Sequence, residues 1–211
     1  PVGSGEFFDI PCDLVISAVG EQVDDALMAA NGIDANLECF TMVPWQPQYR
    51  YTDAATGETL FLEAKPGSEA YRDLWTAFLT DFASHLRSRG LFDKTMIVMD
   101  ERGLDDMLAA YAVAKAAVPD IKMSLAGSYH KELVDSLDCY TLIKGDFFPD
   151  DVISRRRDRD MLTLMYTCCA TPAPSQFSNS APADGAYLPV YATATGHDGY
   201  LHWSYMNWTD N

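Results

Sequence analysis

The sequence predicts an α/β fold of the (β/α)8 TIM-barrel type, incomplete, with about six βα units present. Short apolar runs alternate with stretches of helical periodicity along most of the 211 residues, an alternation that implies parallel strands joined by right-handed crossovers. Polar or aromatic residues follow the C-terminal end of most of these runs, which suits a barrel mouth better than an open sheet with one switch point. Because a closed barrel needs eight units, the first two are expected to be absent, or to come from flanking sequence or another chain. Residues 1–8 read as a cut or fused end, and residues 9–211 as the partial barrel domain.

Residues 12–30 carry apolar positions three or four apart, and Gly32 follows as a terminator, so a helix is expected in the second half of that span. Residues 37–43 read as a strand. Pro44 and Pro47 stop it and open an aromatic loop containing Trp45, Tyr49 and Tyr51. Flat rings beside a strand end either stack on a sugar face or pack under the loop, and the sequence leaves both open for Trp45. Ser68 is the expected N-cap of a helix whose stripe Tyr71, Trp75, Phe78, Leu79, Phe82 and Leu86 ends at Gly90. That stripe is core.

The run Thr95-Met96-Ile97-Val98-Met99 ends abruptly in Asp100-Glu101-Arg102. An apolar run this short, polar at both ends, reads as a buried strand, and the acids then stand at its C-terminal mouth, where such folds do chemistry. Two adjacent carboxylates repel one another, so one is able to hold a proton while the other is ionised. The plainer alternative is that Asp100 caps the next helix and Glu101 pairs with Arg102 or lies in solvent. A second amphipathic helix through Leu104, Met107, Leu108, Tyr111 and Ala114 follows, ended by Pro119. Beyond it come a strand at 121–125, a helical stretch at 132–137, a strand at 140–143, a basic helix at 152–159 and a strand at 162–166. Arg155, Arg156, Arg157 and Arg159 read as a solvated helix face with acidic partners nearby. Residues 171–184 form an irregular loop. A helix through Tyr187 to Ala194 leads to a last strand at 199–203, after which Tyr205, Asn207 and Trp208 crowd another strand mouth.

The 31 acidic against 15 basic residues give a net charge of −16, which disfavours nucleic acid and anionic membranes as partners. A neutral or weakly charged ligand fits better. No stretch approaches the roughly 20 apolar residues of a membrane span, and no signal peptide opens the chain. His85, His130 and His197 are scattered singly, so no metal or other cofactor is expected. The five cysteines show no metal spacing and read as small buried apolar side chains.

The series Ala30-Asn31-Gly32-Ile33, Phe40-Thr41-Met42-Val43-Pro44-Trp45, Pro66-Gly67-Ser68, Asp81-Phe82-Ala83-Ser84-His85-Leu86, Met99-Asp100-Glu101-Arg102, Leu125-Ala126-Gly127, Tyr166-Thr167-Cys168-Cys169 and Asp198-Gly199-Tyr200-Leu201-His202-Trp203 resembles the catalytic region of bacterial proteins carrying the DUF4091 domain. That group is similar to glycoside hydrolase family 123, the β-N-acetylgalactosaminidases. The resemblance runs over nearly the whole chain. It implies a retaining exo-glycosidase that removes terminal β-linked N-acetylgalactosamine (N-acetylhexosamine), the substrate's own acetamide acting as nucleophile, an exception to the two-carboxylate scheme. By the same resemblance Asp100 orients the acetamide, Glu101 protonates the leaving oxygen and then deprotonates water, and the substrate is a glycan or glycoconjugate. Trp45, Tyr49, Tyr166, Trp203, Tyr205, Asn207 and Trp208 are the substrate-binding candidates, by their positions near strand ends. The parent protein is expected to be secreted, periplasmic or at the surface of a bacterium. Two departures stand out: His202 where an arginine is expected, and Pro174-Ser175 in place of Pro-Asn. The alternatives are a carbohydrate-binding or structural fragment of such a barrel, and a redox protein using Cys168-Cys169, which lack the C-x-x-C spacing of reactive pairs.

Overall fold

The computed structural model describes residues 37–201, apart from 169, 170, 172, 178 and 179, with side chains from Thr41 onward. The helix expected within 12–30 lies outside the described residues. The chain divides into two compact units: residues up to Ile97 together with Asp105–Ile121, and Val98–Leu104 together with Lys122 onward.

The first described element of the first unit is β1 (Leu37–Thr41). A hairpin follows, β2 (Gln48–Thr52) and β3 (Thr59–Glu63), paired antiparallel from Gln48 opposite Glu63 to Thr52 opposite Thr59. The Asp53 carboxylate closes its turn by accepting from Ala55 N and Thr56 N at 2.9 and 2.8 Å, and Gly57 supplies the left-handed residue at φ +72°. The residues after Pro47 therefore form strands where a loop was expected. Strand-like alternation of Tyr49 and Tyr51 outweighs the proline signal upstream.

Helix α1 (Glu69–Ser88) starts at Ser68, whose Oγ accepts from Tyr71 N at 3.2 Å. It ends in a Schellman motif. Gly90 at φ +69° lets its own N–H reach Arg87 O and lets Leu91 N reach Leu86 O. Its buried stripe packs Trp75 edge-on against Tyr49, with Trp75 Nε1 donating to the Tyr49 hydroxyl at 3.2 Å. Tyr71 donates to Met42 O at 2.8 Å. Strand β4 (Thr95–Met99) opens in this unit, after a single 3-10 turn at Phe92–Lys94. Helix α2 (Leu104–Ala117) buries Met107, Ala110 and Ala114.

The second unit holds the end of β4, then β5 (Lys122–Gly127), β6 (Cys139–Ile143), β7 (Leu162–Tyr166) and β8 (Gly199–Leu201), neighbours in that order. The β5-β6, β6-β7 and β7-β8 registers are all parallel, so this is an α/β architecture with a parallel sheet, as expected. Helices α3 (Val152–Arg157) and α4 (Pro182–Ala194) provide crossovers. Two aspartates lock the start of the ladder. Asp138 accepts from Met123 N at 2.9 Å and Asp198 from Thr163 N at 2.8 Å, each reaching the strand beside its own.

Two expectations fail here for the same reason. Arg156 is fully buried, although the basic run reads as a solvated face. Its Nε donates to Thr163 Oγ1 at 3.0 Å, its Nη1 to Val134 O and, at 3.0 Å, to Leu137 O, and its Nη2 to Leu162 O at 2.6 Å. The carbonyls of Val134 and Leu137 thus turn inward to the guanidinium, and residues 131–136 are turns where a helix was expected. Arg155 and Arg159 do find acidic partners, both at Asp135.

Removing a charged donor that serves three buried acceptors and the part-buried Leu162 carbonyl strands the buried ones without water. Arg156→Ala is expected to lower stability by about 3 kcal/mol or more, read as a drop in the urea midpoint. Arg156→Lys should recover only part of it, since an ammonium lacks the planar fork.

Candidate active site

Asp100 and Glu101 leave the end of β4 in the second unit. Val98 and Met99 fix the backbone before them, and Gly103 separates them from α2. The Asp100 carboxylate does not cap that helix. One oxygen accepts from Glu101 N at 2.9 Å, and the other is paired with Arg102 Nη2 at 3.0 Å. Arg102 Nη1 donates to the backbone oxygen of Glu101 at 2.8 Å, and the Arg102 side chain is only 8% exposed. Arginine therefore pairs with the aspartate, and the glutamate carboxyl is left to the solvent side. Of the plain alternatives the sequence offered, the exposed Glu101 is seen, while the arginine pairs with Asp100 in place of Glu101.

The Glu101 carboxyl is held above the usual carboxylate range, first by the protein around it, which partly withdraws it from water, and next by the Asp100 charge; Arg102 opposes both. Its chain lies over Gly127, the last residue of β5. A Cβ at Gly127 would stand 3.6 Å from Glu101 Cγ and 3.8 Å from its Cα. This close approach brings the ends of β4 and β5 to one edge, and it identifies Gly127 as a site residue to which the sequence pattern gave no role.

Tyr166 ends β7. Its register partners are Ile143 and Leu201, and partners in a parallel ladder share a face. Thr163 and Met165 point the other way, to Arg156 on α3 and to Leu188 and Ala192 on α4, so Tyr166 projects from the face opposite those helices. It is 6% exposed, and its buried hydroxyl has no hydrogen-bond partner among the described residues.

The other candidates divide. Trp45, in the first unit, is 80% exposed. Tyr49 belongs to the core of that unit, its hydroxyl bonded to Trp75 and its pKa raised by burial. Trp203, Tyr205, Asn207 and Trp208, with His202, lie outside the described residues. Cys168 is half-buried, and the Thr171 hydroxyl donates to its Sγ at 3.5 Å; Cys169 lies outside the described residues. Among the described residues no group of three His, Cys, Asp or Glu side chains is placed to hold a metal ion, and no helix is long and apolar enough to cross a membrane.

The sequence profile of glycoside hydrolase 123, catalytic domain, matches residues 25–211. Among solved structures, a family 123 glycoside hydrolase from Clostridium perfringens, described in connection with glycolipid glycan hydrolysis, is similar to this chain at 29% identity and a TM-score of 0.75. The match covers 85% of this chain and 34% of that one, so this chain spans about a third of that protein's length. No curated protein matches.

The signs around Glu101 fix a pH response. A raised carboxyl keeps its proton to higher pH and loses it as pH rises through that value. If that proton is needed, kcat/KM falls on the alkaline side. Asp100→Asn removes a contribution that raises the Glu101 pKa, so the alkaline limb of the residual activity is expected to move to lower pH, as a pH profile of kcat/KM will show.

Proposed function

The chain belongs to the family of glycoside hydrolase 123 catalytic domains, and from that premise we propose that it is a retaining exo-glycosidase acting on terminal β-linked N-acetylgalactosamine, or a related N-acetylhexosamine, by substrate-assisted catalysis. The observation that carries this reading is the asymmetry of the acid pair: Asp100 is ion-paired and fixed in place, while Glu101 is open on one side and shifted toward its protonated form. A proton donor beside a fixed anion is what protonation of a leaving oxygen needs when the nucleophile comes from the substrate.

In this mechanism the acetamide oxygen attacks the anomeric carbon as the bond to the aglycone breaks, and an oxazolinium ring forms. Asp100 accepts from the acetamide N–H and offsets the charge growing on that ring. Glu101 gives its proton to the departing oxygen, and then takes one from the water that opens the ring. An internal nucleophile already held beside the carbon accounts for the absence of a protein nucleophile in the scheme. Tyr166 fits the sugar wall, because its buried hydroxyl has no partner among the described residues, and a buried hydroxyl left so costs about 1–3 kcal/mol unless something occupies it.

Closure of the parallel sheet into a TIM-type barrel belongs to the same proposal, with further units drawn from the rest of the parent protein or from another chain. The same proposal has the parent protein secreted, periplasmic or on the surface of a bacterium, where glycoconjugate substrates would be met. The binding-only alternative draws on Trp45, whose 80% exposure suits a sugar platform.

Kinetics on two classes of substrate separate these readings. Glu101→Gln should lose about 10² to 10⁴ in rate on glycans with poor leaving groups, and less on p-nitrophenyl β-N-acetylgalactosaminide, whose phenolate departs with little help. Asp100→Asn should suffer on both. A thiazoline analogue of the cyclised intermediate should inhibit. Trapping of a covalent adduct by a fluorosugar lacking the acetamide would instead make a protein carboxylate the nucleophile.

A further inference from the structure

Arg102 sits against the acid pair, and the scheme above leaves it without a part. Its side chain is 8% exposed, and its two Nη atoms reach in different directions: Nη2 to an Asp100 carboxylate oxygen at 3.0 Å, Nη1 to the backbone oxygen of Glu101 at 2.8 Å. The other Asp100 oxygen accepts from Glu101 N at 2.9 Å. Both Asp100 oxygens are therefore tied, one to the Glu101 backbone directly and one through the guanidinium. We propose that Arg102 is a positioning residue of the reaction: it clamps Asp100 to the Glu101 peptide, so that the two carboxylates keep one separation and one orientation through the catalytic cycle. This rests on the reading of Asp100 and Glu101 as the catalytic pair.

The physical argument is one of geometry and of repulsion. Two carboxylates on adjacent residues repel, and the cheapest relief is for one side chain to swing away. Both sit just beyond the strand, where the ladder no longer fixes the chain. A guanidinium is suited to prevent the swing because its planar fork meets a carboxylate and a carbonyl at once, and because its charge offsets the repulsion at its source. Lysine, a point charge on a flexible stem, is able to meet either acceptor but not hold both. Glu101 then carries the protonation chemistry with its backbone fixed on one side by Arg102 and its side chain resting over Gly127 on the other.

A residue that acts through Asp100 is needed only while Asp100 has its carboxylate. The test is a double-mutant cycle in the full chain of the parent protein, with kcat and KM measured on p-nitrophenyl β-N-acetylgalactosaminide and thiazoline binding measured by calorimetry. Arg102→Met should lower kcat on the order of 10²-fold with little change in KM, the scale of an ångström-level misplacement, and Arg102→Lys should recover part of it. In the Asp100→Asn background the same Arg102→Met change should cost at most a few-fold. Glu101 is faced by the charges of Asp100 and Arg102, and the latter lowers its pKa; Arg102→Met should therefore move the alkaline limb of kcat/KM to higher pH, opposite to Asp100→Asn. Equal losses in the two backgrounds, or an alkaline limb that does not move, would overturn the proposal and leave Arg102 a fold residue. Should Arg102→Met not fold, Arg102→Lys in both backgrounds carries the same comparison. A wild-type protein that neither turns over the aryl glycoside nor binds the thiazoline overturns the glycosidase reading itself, which is a different result from active wild type with additive mutants.

Discussion

Parallel pairing is the constraint from which the candidate site follows. Strands paired in the same direction cannot be joined by a tight turn, so every connection crosses back over a face and every strand ends at the same edge. In the second unit the unbroken parallel registers from β5 to β8 bring Gly127 and Tyr166 to that edge. The contact of Glu101 with Gly127 adds the end of β4. No side chain there has to travel to meet another. The backbone direction alone delivers an acid pair, a glycine that leaves room for it and a phenol to the same rim.

The helical side of this sheet is held by a buried cation. The guanidinium of Arg156 donates to three backbone carbonyls and a threonine hydroxyl. Burial lowers the Arg156 pKa, and the charge is tolerable only because carbonyl dipoles replace the lost water. The arrangement ties the 131–136 turns, α3 and the start of β7 together. It therefore fixes the crossover that precedes Tyr166.

At the acid pair, three electrostatic effects compete over Glu101, and their order matters. Withdrawal from water comes first, the neighbouring anion second, and the cation that opposes both comes last. Arg102 is closest to the other acid, so its charge is largely answered by Asp100 before it acts on Glu101. A pair of identical chemistry thereby becomes two unlike groups, one anchored and one poised to hold a proton.

The local pattern of the sequence was enough for everything set by near neighbours. The apolar runs marked the described strands of the parallel sheet, because a strand covered on both faces needs little else. Ser68 and Gly90 marked the ends of α1, because capping and left-handed backbone are decided within a few residues. The position of Asp100 and Glu101 at a strand end was legible for the same reason. What required the tertiary structure was every role assigned across a distance in the chain. Arg156 looks like its exposed neighbours until Val134, Leu137 and Leu162 are seen to surround it. Tyr49 looks like a loop aromatic until Trp75, on the next helix, claims its hydroxyl. Gly127 has no visible purpose until Glu101 lies on it. Periodicity reports which face of an element is buried; only folding decides which residue from another element meets that face, because that choice is made by the geometry of the packed chain.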